Sequence, residues 1–267
     1  MKEYSEKELK NMLGFAENLA IKAGNLIKEL REKKLEFNYK CGTELVTSAD
    51  LKSDELIRNE LQAQYPDITI FSEESHKDKT DFYSPLWIVD PIDGTVNYAH
   101  GQFNVSISIA FACNGELKLA VVHCPFLDEK FSALRGHGAF LNGERICCNK
   151  MEDLSKAVIA TGFPYDRSKR SELIDYVKKI LMNCQDIRRL ASAAIDMCWV
   201  ACGRLEGYYE TVSLWDMAAG YVIAKEAGAA ISNFGPEHPE LPKEFNSQCM
   251  LVSNSKLHDK LKKLLLS

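Results

Sequence analysis

The chain has 267 residues, 46% of them hydrophobic and 27% charged, and its 33 basic and 38 acidic side chains leave a net charge of −5. That composition belongs to a folded globular protein and excludes a disordered one. The acidic balance also speaks against nucleic acid or an anionic membrane surface as a partner.

From the N-terminus, MKEYSEKELK has no apolar signal core, and no run approaches the roughly 18 apolar residues of a membrane span. The cysteines form no C-x-x-C pair and fall mostly in apolar stretches, as in a reducing compartment, so the predicted location is the cytoplasm. Ser5 and Glu8 form a capping box. After it, Leu9, Met12, Leu13, Ala16, Leu19, Ala20, Ala23, Leu26, Ile27 and Leu30 keep helical spacing up to a charged run, Arg31 to Lys34. A second helix starts at 47–50 and stops before Pro66. Strands are predicted at 68–72, 86–90, 105–113, 117–124 and 130–134, with a turn at Asn114-Gly115 and a hairpin around Asn142-Gly143. Short turns join antiparallel neighbours, so residues 1–146 should be helices on an antiparallel sheet. Strands at 157–160, 186–190, 205–209, 229–232 and 250–253 then alternate with helices at 171–183, 192–201, 215–227 and 256–266. That alternation predicts an α/β unit over 147–267, joined to the first across a soft boundary.

The densest chemistry lies in Trp87-Ile88-Val89-Asp90-Pro91-Ile92-Asp93-Gly94-Thr95. An apolar strand runs into two aspartates three apart, fixed by a proline and followed by a glycine that lets a ligand approach the backbone. Glu73-Glu74 follows a strand in the same way. Asp216 opens a helix and would serve the helix dipole; Asp50 would serve as a helix cap. If Glu73, Asp90, Asp93 and Asp216 converge, they cannot all stay ionised without a cation. An all-oxygen site selects a hard ion: Mg²⁺, with Mn²⁺ or Ca²⁺ as alternatives. No histidine lies in these segments; His76 is the nearest and has no partner at ligand spacing, which disfavours zinc.

These segments resemble the inositol monophosphatase family. The likeness covers LVTSAD at 45–50, FSEES at 71–75, WIVDPIDGTVNYAHG at 87–101, GAFLNG at 138–143, ATGFP at 160–164, SAAIDMC at 192–198 and WDMAAG at 215–220. It implies an α-β-α-β-α layered sandwich and a Mg²⁺-dependent, lithium-sensitive phosphomonoesterase, commonly a homodimer. The substrate would be inositol 1-phosphate or a related small polyol or sugar phosphate, hydrolysed by metal-activated water attack. By the same likeness Glu73, Asp90 and the Ile92 carbonyl would hold one Mg²⁺, and Asp90, Asp93 and Asp216 a second; Glu73 would touch a third, weaker ion. Thr95, bonded to Asp50 and helped by Glu73, would activate the water. Asp93, Gly94, Thr95, Arg188, Ala193 and Glu210 would contact the substrate. Two positions depart from the commonest pattern: Glu210 lies one residue closer to Asp216, and Ala191 stands where many members have glycine. Alternatives within the fold are fructose-1,6-bisphosphatase and 3′-phosphoadenosine 5′-phosphate phosphatase, although Asn97-Tyr98 is unlike the Lys-Glu of the nucleotidase branch. A regulatory binding protein is the alternative outside catalysis.

Overall fold

The computed structural model describes residues 3–33, 37–40, 44–75, 80–163, 170–236 and 238–267; Lys34, Cys41, His76 and Pro164 lie outside them. The first half holds α1 (Glu6–Arg31), β1 (Phe37–Lys40), β2 (Glu44–Thr47), α2 (Ser48–Gln64), β3 (Thr69–Ser72), β4 (Leu86–Asp93), α3 (Thr95–Ala99), β5 (Ser106–Cys113), β6 (Glu116–Cys124), β7 (Glu129–Leu134), β8 (Gly138–Leu141) and β9 (Glu144–Ile146). The second holds β10 (Val158–Thr161), α4 (Arg170–Asn183), β11 (Asp186–Arg188), α5 (Ala193–Ala201), β12 (Gly207–Glu210), α6 (Leu214–Glu226), β13 (Ala230–Asn233), β14 (Met250–Ser253) and α7 (His258–Leu266).

Strands β3 to β9 form a seven-stranded sheet in sequential order, and the second half forms a five-stranded sheet in the order β11-β10-β12-β14-β13. The first sheet is not wholly antiparallel: β3 pairs parallel with β4. Residues 73–85 join them, long enough for the crossover that a parallel pair needs. The hairpin of β1 and β2 and the five-residue α3 also lie outside the predicted elements.

Three apolar clusters show the layering. Met12, Leu19, Ile27, Ile57 and Leu61 from α1 and α2 pack on Trp87, Ile107, Ile109 and Val121 of the large sheet. The opposite face, with Ile88, Ala110 and Val122, shares a core with Met197 and Val200 of α5, Met217 and Ile223 of α6, and Tyr208 and Val252 of the small sheet. Ile180 and Leu261 of α4 and α7 cover that sheet's outer face with Ile159 and Leu251. The fold is therefore an α-β-α-β-α sandwich, with α5 and α6 as its middle layer. Among the described residues, no helix is long and apolar enough to cross a membrane.

Candidate active site

A β-bulge brings Asp90 and Asp93 together. Asp90 pairs with Ser108 and Asp93 with Ser106, so β4 takes one step more than β5 between the two pairs. In a regular strand, residues three apart face opposite sides; the extra residue returns both carboxylates to one side. Pro91, which has no N–H to give a ladder, occupies the bulge. Its carbonyl accepts a hydrogen bond from Ser53 Oγ of α2 at 2.9 Å.

Asp216 arrives from the second half on the first turn of α6. Carboxylate oxygens of Asp90, Asp93 and Asp216 lie within 4.8 Å of one another. They line a cavity of roughly 370 Å³ together with Glu73, Ile92, Gly94 and Thr95.

Two helix starts divide a carboxylate between fold and site. Thr47 caps α2, and Asp50 Oδ2 accepts from Thr47 N at 2.8 Å and from its hydroxyl at 2.5 Å. That leaves Asp50 Oδ1 to accept from Thr95 Oγ1 at 2.8 Å; the Ile92 carbonyl, 3.1 Å away, is that hydroxyl's other acceptor. Likewise Asp216 Oδ2 accepts from Ser213 N at 2.7 Å. In Asp50 the cap and the site draw on different oxygens of one side chain.

Asp93 is held across the two halves. It accepts from Ser106 Oγ at 3.1 Å on its own sheet, and from Ser192 Oγ and the N–H groups of Ala193 (3.3 Å) and Ala194 (2.9 Å) at the start of α5. A carboxylate there complements the unpaired amides and the helix dipole. Gly94 follows with φ +94; a Cβ on it would lie 2.7 Å from the Asn104 carbonyl oxygen. Only glycine fits both conditions.

The electrostatics call for a positive ion. Burial pushes Asp90 far above the usual carboxylate range, and Glu73, Asp93 and Asp216 push it further. Burial also raises Asp93, against the pull of its donors from Ser192, Ala194 and Ser106. Asp216 is raised by burial and then by Asp93. Buried like charges at this spacing are unstable until a cation neutralises them. Every donor is oxygen, which suits Mg²⁺.

The far end of the cavity is lined differently. Glu210, at the end of β12, accepts from Tyr208 OH at 2.8 Å. Burial raises its carboxyl to about 7, against the pull of Tyr208 and Arg189. A Cβ on Gly162 would lie 2.0 Å from Glu210 Oε2, so a glycine is required for Glu210 to fold inward. Ala193 lines the cavity, but Arg188 does not; Arg189 and Phe163 do. Arg188 turns outward to Asp186, 2.6 Å away, because neighbouring residues at a strand end face opposite ways. Arg189 has its guanidinium 5.9 Å from the centre of the Phe163 ring. Ala191, also in the lining, sits at φ +64, the left-handed region that an L-residue avoids. Arg189, Gly162 and Ser192 are site residues that the sequence pattern does not single out. The ATGFP and SAA segments mark their neighbourhood but assign them no role.

The chain is similar to known proteins in sequence and in fold. The chain is 37% identical over 234 residues to the Nus factor SuhB of Pasteurella multocida, covering 86% of this chain and 88% of that protein. It is also 37% identical over 235 residues to a fructose-1,6-bisphosphatase/inositol-1-monophosphatase of Thermotoga maritima, covering 87% and 85%. The crystal structure of the extragenic suppressor protein suhB from Bartonella henselae superposes with a TM-score of 0.88 at 30% identity, over 96% of this chain and 98% of that one. The model of the inositol monophosphatase family matches residues 8–266, and with it the chain belongs to that family of Mg²⁺-dependent phosphatases.

Proposed function

We propose that the protein is a Mg²⁺-dependent phosphomonoesterase that hydrolyses inositol 1-phosphate or a related small polyol or sugar phosphate. The observation that carries this is the placement of two buried carboxylates and the half-buried Asp216 beside the Thr95–Asp50 hydrogen bond and the left-handed Gly94. Glu73, Asp90 and the Ile92 carbonyl would hold one ion, and Asp90, Asp93 and Asp216 a second; Glu73 would also touch a third. Bound Mg²⁺ supplies Lewis-acid chemistry, acidifying water and neutralising phosphoryl charge.

The protein's own groups do the positioning. The Gly94 and Thr95 amides cradle the phosphate. Thr95 Oγ1, held by Asp50 Oδ1, orients the attacking water and takes its proton as its own proton moves to Asp50, with Glu73 assisting. Ala193, Glu210 and Arg189 face the alcohol. Such positioning accounts for most of the rate in phosphoryl transfer. The test is phosphate release from inositol 1-phosphate, fructose 1,6-bisphosphate, histidinol phosphate and 3′-phosphoadenosine 5′-phosphate, with Mg²⁺ and with chelator. Release from inositol 1-phosphate that vanishes in chelator is the expected result; no release from any of the four overturns the proposal.

Arg189 favours a second reading. A cation at the far end of the cavity suits a substrate with a second phosphate. The Thermotoga relative carries both activities in its name. On that reading fructose 1,6-bisphosphate gives the larger kcat/KM in the same panel.

A further inference from the structure

Asn97 lies one helical turn beyond Asp93, on α3, and is 4% exposed. Its Nδ2 donates to the Asn104 carbonyl at 2.7 Å and the Leu190 carbonyl at 2.6 Å, with the Ala191 carbonyl 3.5 Å away. An amide NH₂ has two protons, and both are used here. Leu190 belongs to the second half of the chain. The stretch 190–194 therefore meets the first half twice: its leading carbonyls take Asn97, and its following N–H groups give to Asp93.

Between these two points of attachment lie Gly94, Thr95 and Val96, all in the cavity lining. The fit leaves little slack. A Cβ on Gly94 would stand 2.7 Å from the Asn104 carbonyl and 3.2 Å from that of Ala191. Asn104 is one of Asn97's acceptors, and Ala191 follows the other. The same amide thus sets how closely those two backbones approach Gly94, and it braces the left-handed turn at Ala191.

We infer that Asn97 is a positioning residue: it fixes the Gly94–Thr95 backbone against residues 190–191 so that the cradle amides point at the phosphate. This rests on the phosphatase function proposed above. Asn97 touches none of the carboxylates through a hydrogen bond, so its effect should fall on phosphate handling. A residue that only glued the halves together would change stability and leave turnover per folded molecule alone.

The test uses the full-length protein with Asn97→Ala, Asn97→Ser and Asn97→Asp. The last has the same shape but sets carboxylate oxygen against two carbonyls. The measurements are kcat and KM at saturating Mg²⁺, calorimetric binding of inorganic phosphate with Mg²⁺ present, and thermal melting. Expected are a fall in kcat of about 10- to 100-fold in each folded variant, the loss typical of a small misplacement, and phosphate binding weakened about tenfold, with Asn97→Asp affected at least as much as Asn97→Ala. Variants that melt lower yet keep kcat and phosphate affinity within twofold of the parent overturn the inference, as does a set in which none folds. If the parent binds phosphate but hydrolyses no monoester, the phosphatase proposal fails, and Asn97→Ala still decides the inference through phosphate affinity. If the parent binds no phosphate, there is no cradle to position and both fail.

Discussion

The two ends of the cavity are built on different plans. At the carboxylate end, backbone elements fix the acidic groups: a bulge and a cross-half helix start for Asp93, a capping box for Asp50, a helix start for Asp216. At the far end, Glu210 has one hydrogen bond among the described residues, Arg189 is exposed, and Ala191 is held in an unfavourable conformation. The first end is a rigid scaffold for charge. The second is a small number of side chains that can be exchanged without disturbing the fold, which is what varying the alcohol among relatives requires.

The sharpest test of this contrast is Asp90→Asn. Phosphate release should fall by about 10²–10³-fold or more, the loss seen when one group that stabilises transition-state charge is removed. In chelator the same variant should melt higher than the parent, because Asn is buried neutral without the cost of protonating a carboxylate that is ionised in the unfolded chain. A variant that keeps its activity would break the comparison. Gly162→Ala probes the other end: the new methyl must displace Glu210, raising KM about tenfold and costing about 1–3 kcal/mol in overpacking, both readable from kinetics and denaturant melts. Next comes the pair Arg189→Ala and Arg188→Ala. The first should raise KM about tenfold, the low end of the roughly 1.5–3 kcal/mol of a hydrogen bond to a charged group, and the second should leave kcat and KM unchanged. Equal effects would mean that the far end does not discriminate as described. The smallest effect belongs to Ala191→Gly. Relieving the left-handed strain should stabilise the protein by about 1 kcal/mol, part of it offset by glycine's greater freedom in the unfolded chain.

How much of each end can be read in the sequence follows from how each is assembled. Asp90 and Asp93 lie in one apolar-to-acidic stretch, so their strand-end position is visible from composition alone. What the sequence does not display is the bulge that turns both to one side. For Asp50, capping and a role at the site look like competing explanations, yet the side chain makes both contacts because a carboxylate has two oxygens. The far end draws on residues near 96, 162, 189, 210 and 248, and no local pattern links them. Whether Arg188 or Arg189 faces inward depends on where β11 ends, and strand ends are the least determined feature of a sequence. In the fold, the long helices and hairpin strands carry clear periodicity. Helix α3 is too short to show one, and the parallel pairing of β3 with β4 is decided by a crossover rather than by the strands themselves.

The docking of Asp93 on the first amides of α5 also bears on how the protein comes into being. During synthesis Asp90 and Asp93 emerge long before residues 192–194 and Asp216 exist to receive or join them. The nascent first half already carries Glu73, Asp90 and the Ile92 carbonyl, the proposed holders of one ion, but its Asp93 has neither the start of α5 nor Asp216 beside it. On the proposed assignment, uptake of the second ion would wait for the finished chain, and its loading should coincide with the closing of the second half onto the first rather than precede it.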